Sequence, residues 1–321
     1  MKKFLIRFGI WFGIVIGLAF PIDWMISSGL RKTDIRKYAA WNDIYKGGLH
    51  PDMLVLGSSQ AWSSYNTFIL DTVLHLNSHN LGMDGHGIDY QLIRYDEFRR
   101  FNAKPKVIIV NACFIGSLGY SGTPYEREQF FPYIHNDVLI SKVAKTKKIT
   151  WIDRHLPLIR YFGYREEIEN GMASFFGKRS FFDGEMHKGY RGNLYNWDRS
   201  TLSRDTLVYA SIEKGAVDLL DSFSKNAIEE NIQLVFVKYP VYNPLRQKFC
   251  NIHQSDSAFE SISNKYQIPI LDYYYSSISM DSTNYYNPSH LNKKGSEVFT
   301  FKLCHDLESL GILETIKASQ N

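Results

Sequence analysis

At 321 residues, 44% hydrophobic and 15% aromatic, the chain is long and apolar enough to bury a substantial core, which excludes a disordered tail. Its net charge of +4 is small and its Lys and Arg are dispersed, so nothing offers a track for a phosphate backbone and nucleic acid is not an expected partner. The three cysteines, Cys113, Cys250 and Cys304, lie far apart without a CxxC spacing; they suit neither a disulfide framework nor a zinc site and read as buried apolar residues. With no Walker motif, glycine-rich nucleotide cradle or HExxH pattern, no cofactor or metal is expected.

The N-terminus carries the strongest compositional signal. Lys2, Lys3 and Arg7 precede an almost unbroken apolar stretch over residues 8–22, closed by Pro21 and Asp23. A span needs about 20 residues, so the segment must recruit neighbours such as Phe4 to Ile6 or Trp24 to Ile26. Residues 1–28 are therefore expected to anchor the chain in a membrane as one helix. A cleaved signal peptide is the alternative, but small residues at the usual cleavage spacing do not directly follow the apolar run. Arg31, Lys32, Arg36 and Lys37 rival the N-terminal positives, so charge alone does not set the orientation.

A charged connector is expected over residues 29–50, followed by the main domain over 51–321. Short apolar runs at 53–56, 107–110, 234–237 and 268–271 read as buried parallel strands. Helical spacing of apolar residues recurs at 208–228, 258–266 and 294–310. Strand and helix in alternation imply an α/β fold with a doubly wound sheet. Residues 116–204, rich in aromatic and basic side chains without a steady period, break the rhythm and read as an insertion: a peripheral subdomain, or a lid over the strand ends where open α/β sheets bind ligands.

Ser59 follows the first strand in Gly57-Ser58-Ser59, at the carboxyl end where a nucleophile is presented. A Gly-Ser-Ser turn is weak evidence alone, since Ser caps helices and Gly makes turns. The segment Asn287-Pro288-Ser289-His290-Leu291-Asn292 sits in the loop after the last strand, which in such a sheet returns to the same edge. A histidine there can take the serine proton as general base and later return it to a leaving group.

With these residues in place the chain resembles the SGNH or GDSL-like hydrolases. Val55-Leu56-Gly57-Ser58-Ser59 looks like their nucleophile block, Asn80-Leu81-Gly82-Met83-Asp84-Gly85 like the block whose glycine N–H helps form the oxyanion hole, Asn111 like the oxyanion asparagine, and His290 like the final base. The resemblance implies a three-layer, flavodoxin-like fold with Ser59 and His290 catalytic, and Gly85 and Asn111 stabilising an oxyanion. It covers about 50–115 and 230–310. Asn287 stands where the family's last block carries Asp; an amide orients the imidazole but cannot stabilise its charged form. Asp272 and Asp281 are the nearby carboxylates that could substitute.

An N-terminal anchor with a Gly-Ser-Ser turn is similar to extracytoplasmic proteins that accompany membrane-bound O-acyltransferases, such as those of alginate acetylation and teichoic acid D-alanylation. That resemblance implies acyl or acetyl transfer to, or hydrolysis from, an envelope polysaccharide, in the periplasm or cell envelope, with such an acyltransferase as partner. It leaves a silent glycan-binding role as the alternative. Trp151, Arg154, Tyr161, Tyr164, Tyr190 and Arg191 are candidates for stacking on sugar or binding its anionic groups.

Overall fold

The structure, a computed structural model, describes residues 1–119, 126–144, 149–178, 186–198 and 207–312. The expected end of the insertion, Arg204, lies outside them. The chain divides into two compact units, each built from two segments: unit 1 from Met1–Asp43 and Gly122–Phe182, unit 2 from Ile44–Ser121 and Asp183–Asn321.

Unit 2 is the α/β domain. Its strands are β1 (Met53–Leu56), β2 (Ser78–Asn80), β3 (Val107–Asn111), the short pair β4 (Met186–His187) and β5 (Tyr190–Arg191), β6 (Gln233–Lys238), β7 (Ile270–Asp272), and the pair β8 (Tyr285–Asn287) and β9 (His290–Leu291). Five of them form one parallel sheet in the order β2-β1-β3-β6-β7. Counting only this sheet, the order is 2-1-3-4-5, the flavodoxin-like arrangement.

Alternation along the strands makes three layers. Met53, Val55, Val107, Ile109, Val235 and Val237 share a core with Tyr65, Ile69 and Leu74 of the helices Ser59–Ser64 (and its C-cap) and Thr67–Leu74, and with Phe299, Leu303 and Leu307 of the helix Lys293–Ser309. The intervening residues Leu54, Leu56, Ile108, Val110, Leu234 and Phe236 are buried as well, and the Phe236 ring meets Phe259 of the helix Ile252–Tyr266 at 5.4 Å.

The apolar runs located four strands of the sheet, with β7 shifted two residues from 268–271. The fifth, β2, has the sequence Ser-His-Asn and no apolar signal; its buried Ser78 and Asn80 side chains are hydrogen-bonded instead, Ser78 to Asp71 and to the Thr67 carbonyl and Asn80 to the carbonyls of Ala61 and Tyr65. The helix expected over 208–228 starts only at Lys214, because the N–H of Val208 donates to the Lys248 carbonyl and its carbonyl accepts from Cys250. Cys250 is exposed on that turn, whereas Cys113 and Cys304 are buried as expected.

Unit 1 begins with the helix Lys2–Leu30, whose apolar part has no burial within the structure and is long and apolar enough to cross a membrane. The helix does not stop at residue 28. Its last turns enter a core in which Ile26 and Leu30 pack with Tyr38, Phe131 and Tyr161. A Cβ on Gly29 would lie 1.7 Å from the carbonyl oxygen of Gly171, so the two backbones touch where this helix meets the helix Arg165–Phe175. The expected connector is likewise folded: residues Arg36–Lys46 form a helix because Tyr38 and Trp41, three apart, are both buried. The residues expected as one insertion fall into both units, 122–182 in unit 1 and the β4–β5 hairpin in unit 2.

Candidate active site

Ser59 opens the short helix that follows β1, with Ser58 at its N-cap. The turn needs Gly57, since a Cβ there would lie 2.6 Å from the Cβ atoms of both Ala61 and Asn111. Bonds from other elements hold the helix. The Asn80 amide donates to the carbonyls of Ala61 and Tyr65, at 2.8 and 3.1 Å, while its Oδ1 accepts from the Gly82 N–H at 2.9 Å. Thr300 Oγ1 donates to the Ser64 carbonyl and accepts from the Asn66 N–H.

His290 reaches the serine from the other end of the chain. Its Nε2 lies 2.7 Å from Ser59 Oγ, and its Nδ1 lies 2.9 Å from both Asn287 Oδ1 and Ser289 Oγ. The protonation pattern follows from the neighbours. Asn287 Oδ1 also accepts the Ser289 backbone N–H at 3.0 Å, so that atom must be the oxygen of the amide. His290 Nδ1 therefore carries the proton, and Nε2 is left as an acceptor facing the Ser59 hydroxyl. The Ser289 hydroxyl donates to Asn287 Oδ1 at 3.0 Å and thus accepts from Nδ1–H. The ring is stacked on Tyr286 at 5.4 Å. Burial pushes its pKa down to about 4, so it is neutral through the usual range.

Among the described residues no carboxylate hydrogen-bonds to His290. Asp272 accepts the Tyr274 N–H and faces Lys238, and Asp281 caps the turn at Thr283 and faces Lys294, so neither substitutes for the missing acid. Asn287 is the orienting group, and the β8–β9 pairing sets it opposite His290.

A cavity of about 260 Å³ opens beside this pair, lined among others by Ser59, His290, Gly85, His86, Gly87 and Gln60. Gly85 has φ +66°, which favours glycine, and the N–H groups of Ser59 and Gly85 make no hydrogen bond to protein atoms among the described residues. Asn111, in contrast, does not line the cavity. It is 1% exposed, with Oδ1 accepting from the Tyr65 hydroxyl at 2.8 Å and Nδ2 donating to Gln60 Oε1. Gln60 stands between them, and its Nε2 donates to the Ser289 carbonyl at 3.2 Å, joining the serine helix to the histidine loop.

Two residues at the cavity had no sequence signal. Gln60 is marked only by following Ser59. His86 Nδ1 donates to the Asp84 carbonyl, leaving Nε2 a buried acceptor with no hydrogen-bond partner among the described residues; burial holds it neutral, with a pKa of about 4. Three of the expected sugar-contacting residues are excluded from that role by burial: Tyr161 and Tyr190 are fully covered, the latter bonded to Ser296, and Arg191 is nearly so. Trp151 is exposed, Arg154 pairs with Asp137, and Tyr164 packs on Phe131.

Neither a family model nor a curated protein matches the chain. A crystal structure of a protein from Bacteroides fragilis NCTC 9343, described as a candidate acylhydrolase, aligns over 82% of this chain and 86% of its own, at 13% identity and a TM-score of 0.36. A likeness at that level decides nothing about the chemistry.

Proposed function

We propose that the chain is a serine acyl-ester enzyme of the SGNH type, handling an acyl or acetyl group of an extracytoplasmic polysaccharide through a covalent acyl-Ser59. The observation that carries this reading is the hydrogen-bonded line from Ser59 to His290 to Asn287, with its tautomer set for proton abstraction. Ser59 Oγ attacks the ester carbonyl carbon as its proton passes to His290 Nε2, and the carbonyl electrons move onto oxygen. The N–H groups of Ser59 and Gly85 are the donors for that oxyanion; each such donor is worth about 10²–10³ in rate. Collapse expels the alkoxide, which takes the proton from Nε2. Water or a second glycan hydroxyl then attacks the acyl-serine, with His290 again the base. Asn111 acts through Gln60 in this reading, as a positioning residue. The small cavity suits a short acyl chain.

In the same reading the N-terminal helix is a retained anchor, with the remainder of the chain in the periplasm or cell envelope beside a membrane-bound O-acyltransferase that supplies the acyl group. Its last turns supply Asp23, Ile26, Ser27 and Leu30 to the interior of unit 1, and a cleavage that removed them would open that interior. A second reading, a silent glycan-binding partner, is favoured by one observation: among the described residues no carboxylate bonds to His290.

Release of p-nitrophenol from its acetyl ester by the full chain in detergent, beside Ser59→Ala, separates the two readings. Turnover and labelling by a serine-directed fluorophosphonate, both lost in Ser59→Ala, are expected. Equal inertness of the two proteins, with no label on either, overturns the enzyme reading in favour of the binding one.

A further inference from the structure

Around the foot of the N-terminal helix, unit 1 buries charged side chains beside its apolar core and leaves other apolar side chains exposed. Asp23, Asp153 and Arg160 are buried: Arg160 pairs with Asp23 and donates to Ser27 Oγ at 3.0 Å, and Asp153 pairs with Arg127 at 3.1 Å. Their chain neighbours face the other way. Phe162 is 88% exposed, Trp151 67% and Phe176 66%, and Ile152, Leu156 and Ile159 are exposed too.

These six side chains surround one place. The Leu158 N–H donates to Asp23 Oδ2 at 2.8 Å, which sets residues 156–162 against the helix at residue 23. The helix Trp151–His155 is tied to the same segment by the Arg160 guanidinium, which reaches the Asp153 carbonyl. From the adjacent residue, the Trp24 ring meets Phe175 edge-on at 5.5 Å, beside Phe176. Asp23 is also where the burial of the helix in unit 1 begins, with Trp24 beside it still exposed. Isolated surface hydrophobics need no explanation, but a patch rich in aromatics and continuous with the foot of a spanning helix has the composition of a membrane–water boundary. Exposed Arg31 and Lys32, just past the end of the helix at Leu30, supply positive charge for anionic headgroups.

We propose that this collar, Trp151, Ile152, Leu156, Ile159, Phe162 and Phe176, is seated in the headgroup region of the bilayer that the helix crosses, so that unit 1 lies on the membrane surface. The proposal rests on the anchor reading above. Its occupant is lipid, held by apolar contact with the acyl boundary and by the two basic residues.

The test uses the full chain in nanodiscs of phosphatidylcholine and phosphatidylglycerol, with Cys250→Ser removing the exposed thiol and an environment-sensitive fluorophore on Phe162→Cys. Leu156→Cys provides a second position should the first fail to fold. The label is expected to be quenched by a nitroxide at headgroup depth and shielded several-fold from aqueous iodide. A label open to iodide on a chain that remains in the disc overturns the collar, leaves the anchor standing and assigns the face to a protein partner. A chain that does not co-purify with the discs overturns the anchor reading and the collar with it.

Discussion

In the proposed mechanism Asn287 decides how strong a base His290 would be. The amide gives Nδ1 an oriented acceptor but no charge, and burial disfavours the imidazolium that forms when Ser59 gives up its proton. An aspartate is close to isosteric there: one oxygen would keep the bonds from Ser289 and His290, and the other would take the place of an amide nitrogen that makes no hydrogen bond among the described residues. Asn287→Asp is therefore expected to raise esterase kcat/KM by about tenfold or more, since the reverse change costs a serine protease on the order of 10⁴. The sign of the pH effect follows. As the proposed general base His290 would work deprotonated, so wild-type activity should fall only as pH drops towards 4, and the variant, whose carboxylate raises the histidine pKa, should lose activity at higher pH. A pH profile of kcat/KM with an unmoved acid limb would show that this carboxylate does not reach the ring. Ser59, His290 and Asn287 were legible because each is a chemistry-bearing residue in a short motif beside a strand end. Gln60 and His86 were not, because what they do depends on partners and a cavity wall that exist only after folding.

At the scale of elements, β2 is the part that hydrophobic patterning misses, and it positions the site. Asn80, itself 1% exposed, ends it and holds the serine helix by two carbonyls and the following turn by one N–H. An aspartate there would turn both donated bonds into contacts between oxygen lone pairs. Asn80→Asp should cost about 2–5 kcal/mol in urea unfolding and reduce esterase rate even in the folded fraction; a change below about 1 kcal/mol would mean that the bonds contribute little. Strands such as Met53–Leu56 were readable because both their faces are buried apolar surface, whereas Ser78–Asn80 is buried through hydrogen bonds, which leave no period in the sequence. The helix Ile88–Phe101 is obscured in a related way, since it buries Arg94 and Glu97 along with Phe98.

Across the whole molecule, acid sensitivity is built into unit 2. His79, His86 and His290 are each held near pKa 4, first of all by burial, against about 6.5 in the unfolded chain. Each is neutral when folded and takes up a proton on unfolding, so stability is full above pH 6.5 and is lost as pH falls from 6.5 towards 4. The midpoint of urea unfolding should drop across that window, and His79→Gln should reduce the associated proton uptake by about one. A midpoint constant from pH 7 to 4.5 would contradict this. The division into units was the least legible feature of the sequence. The apolar N-terminus reads as a detachable anchor, yet Ile26 and Leu30 face a core whose other side, Phe131 and Tyr161, lies more than 100 residues further on. A chain beginning at Gly29 would lack Asp23 and Ile26 and leave Arg160 without its carboxylate, so it should be less soluble than composition suggests. The interleaving also sets a timetable for synthesis. Unit 1 lacks half of its fold until residue 182 has left the ribosome, about 140 residues after residue 43. At roughly 5–20 residues per second that is a wait of about 7–30 s, during which the foot of the helix has only lipid or a chaperone to cover it.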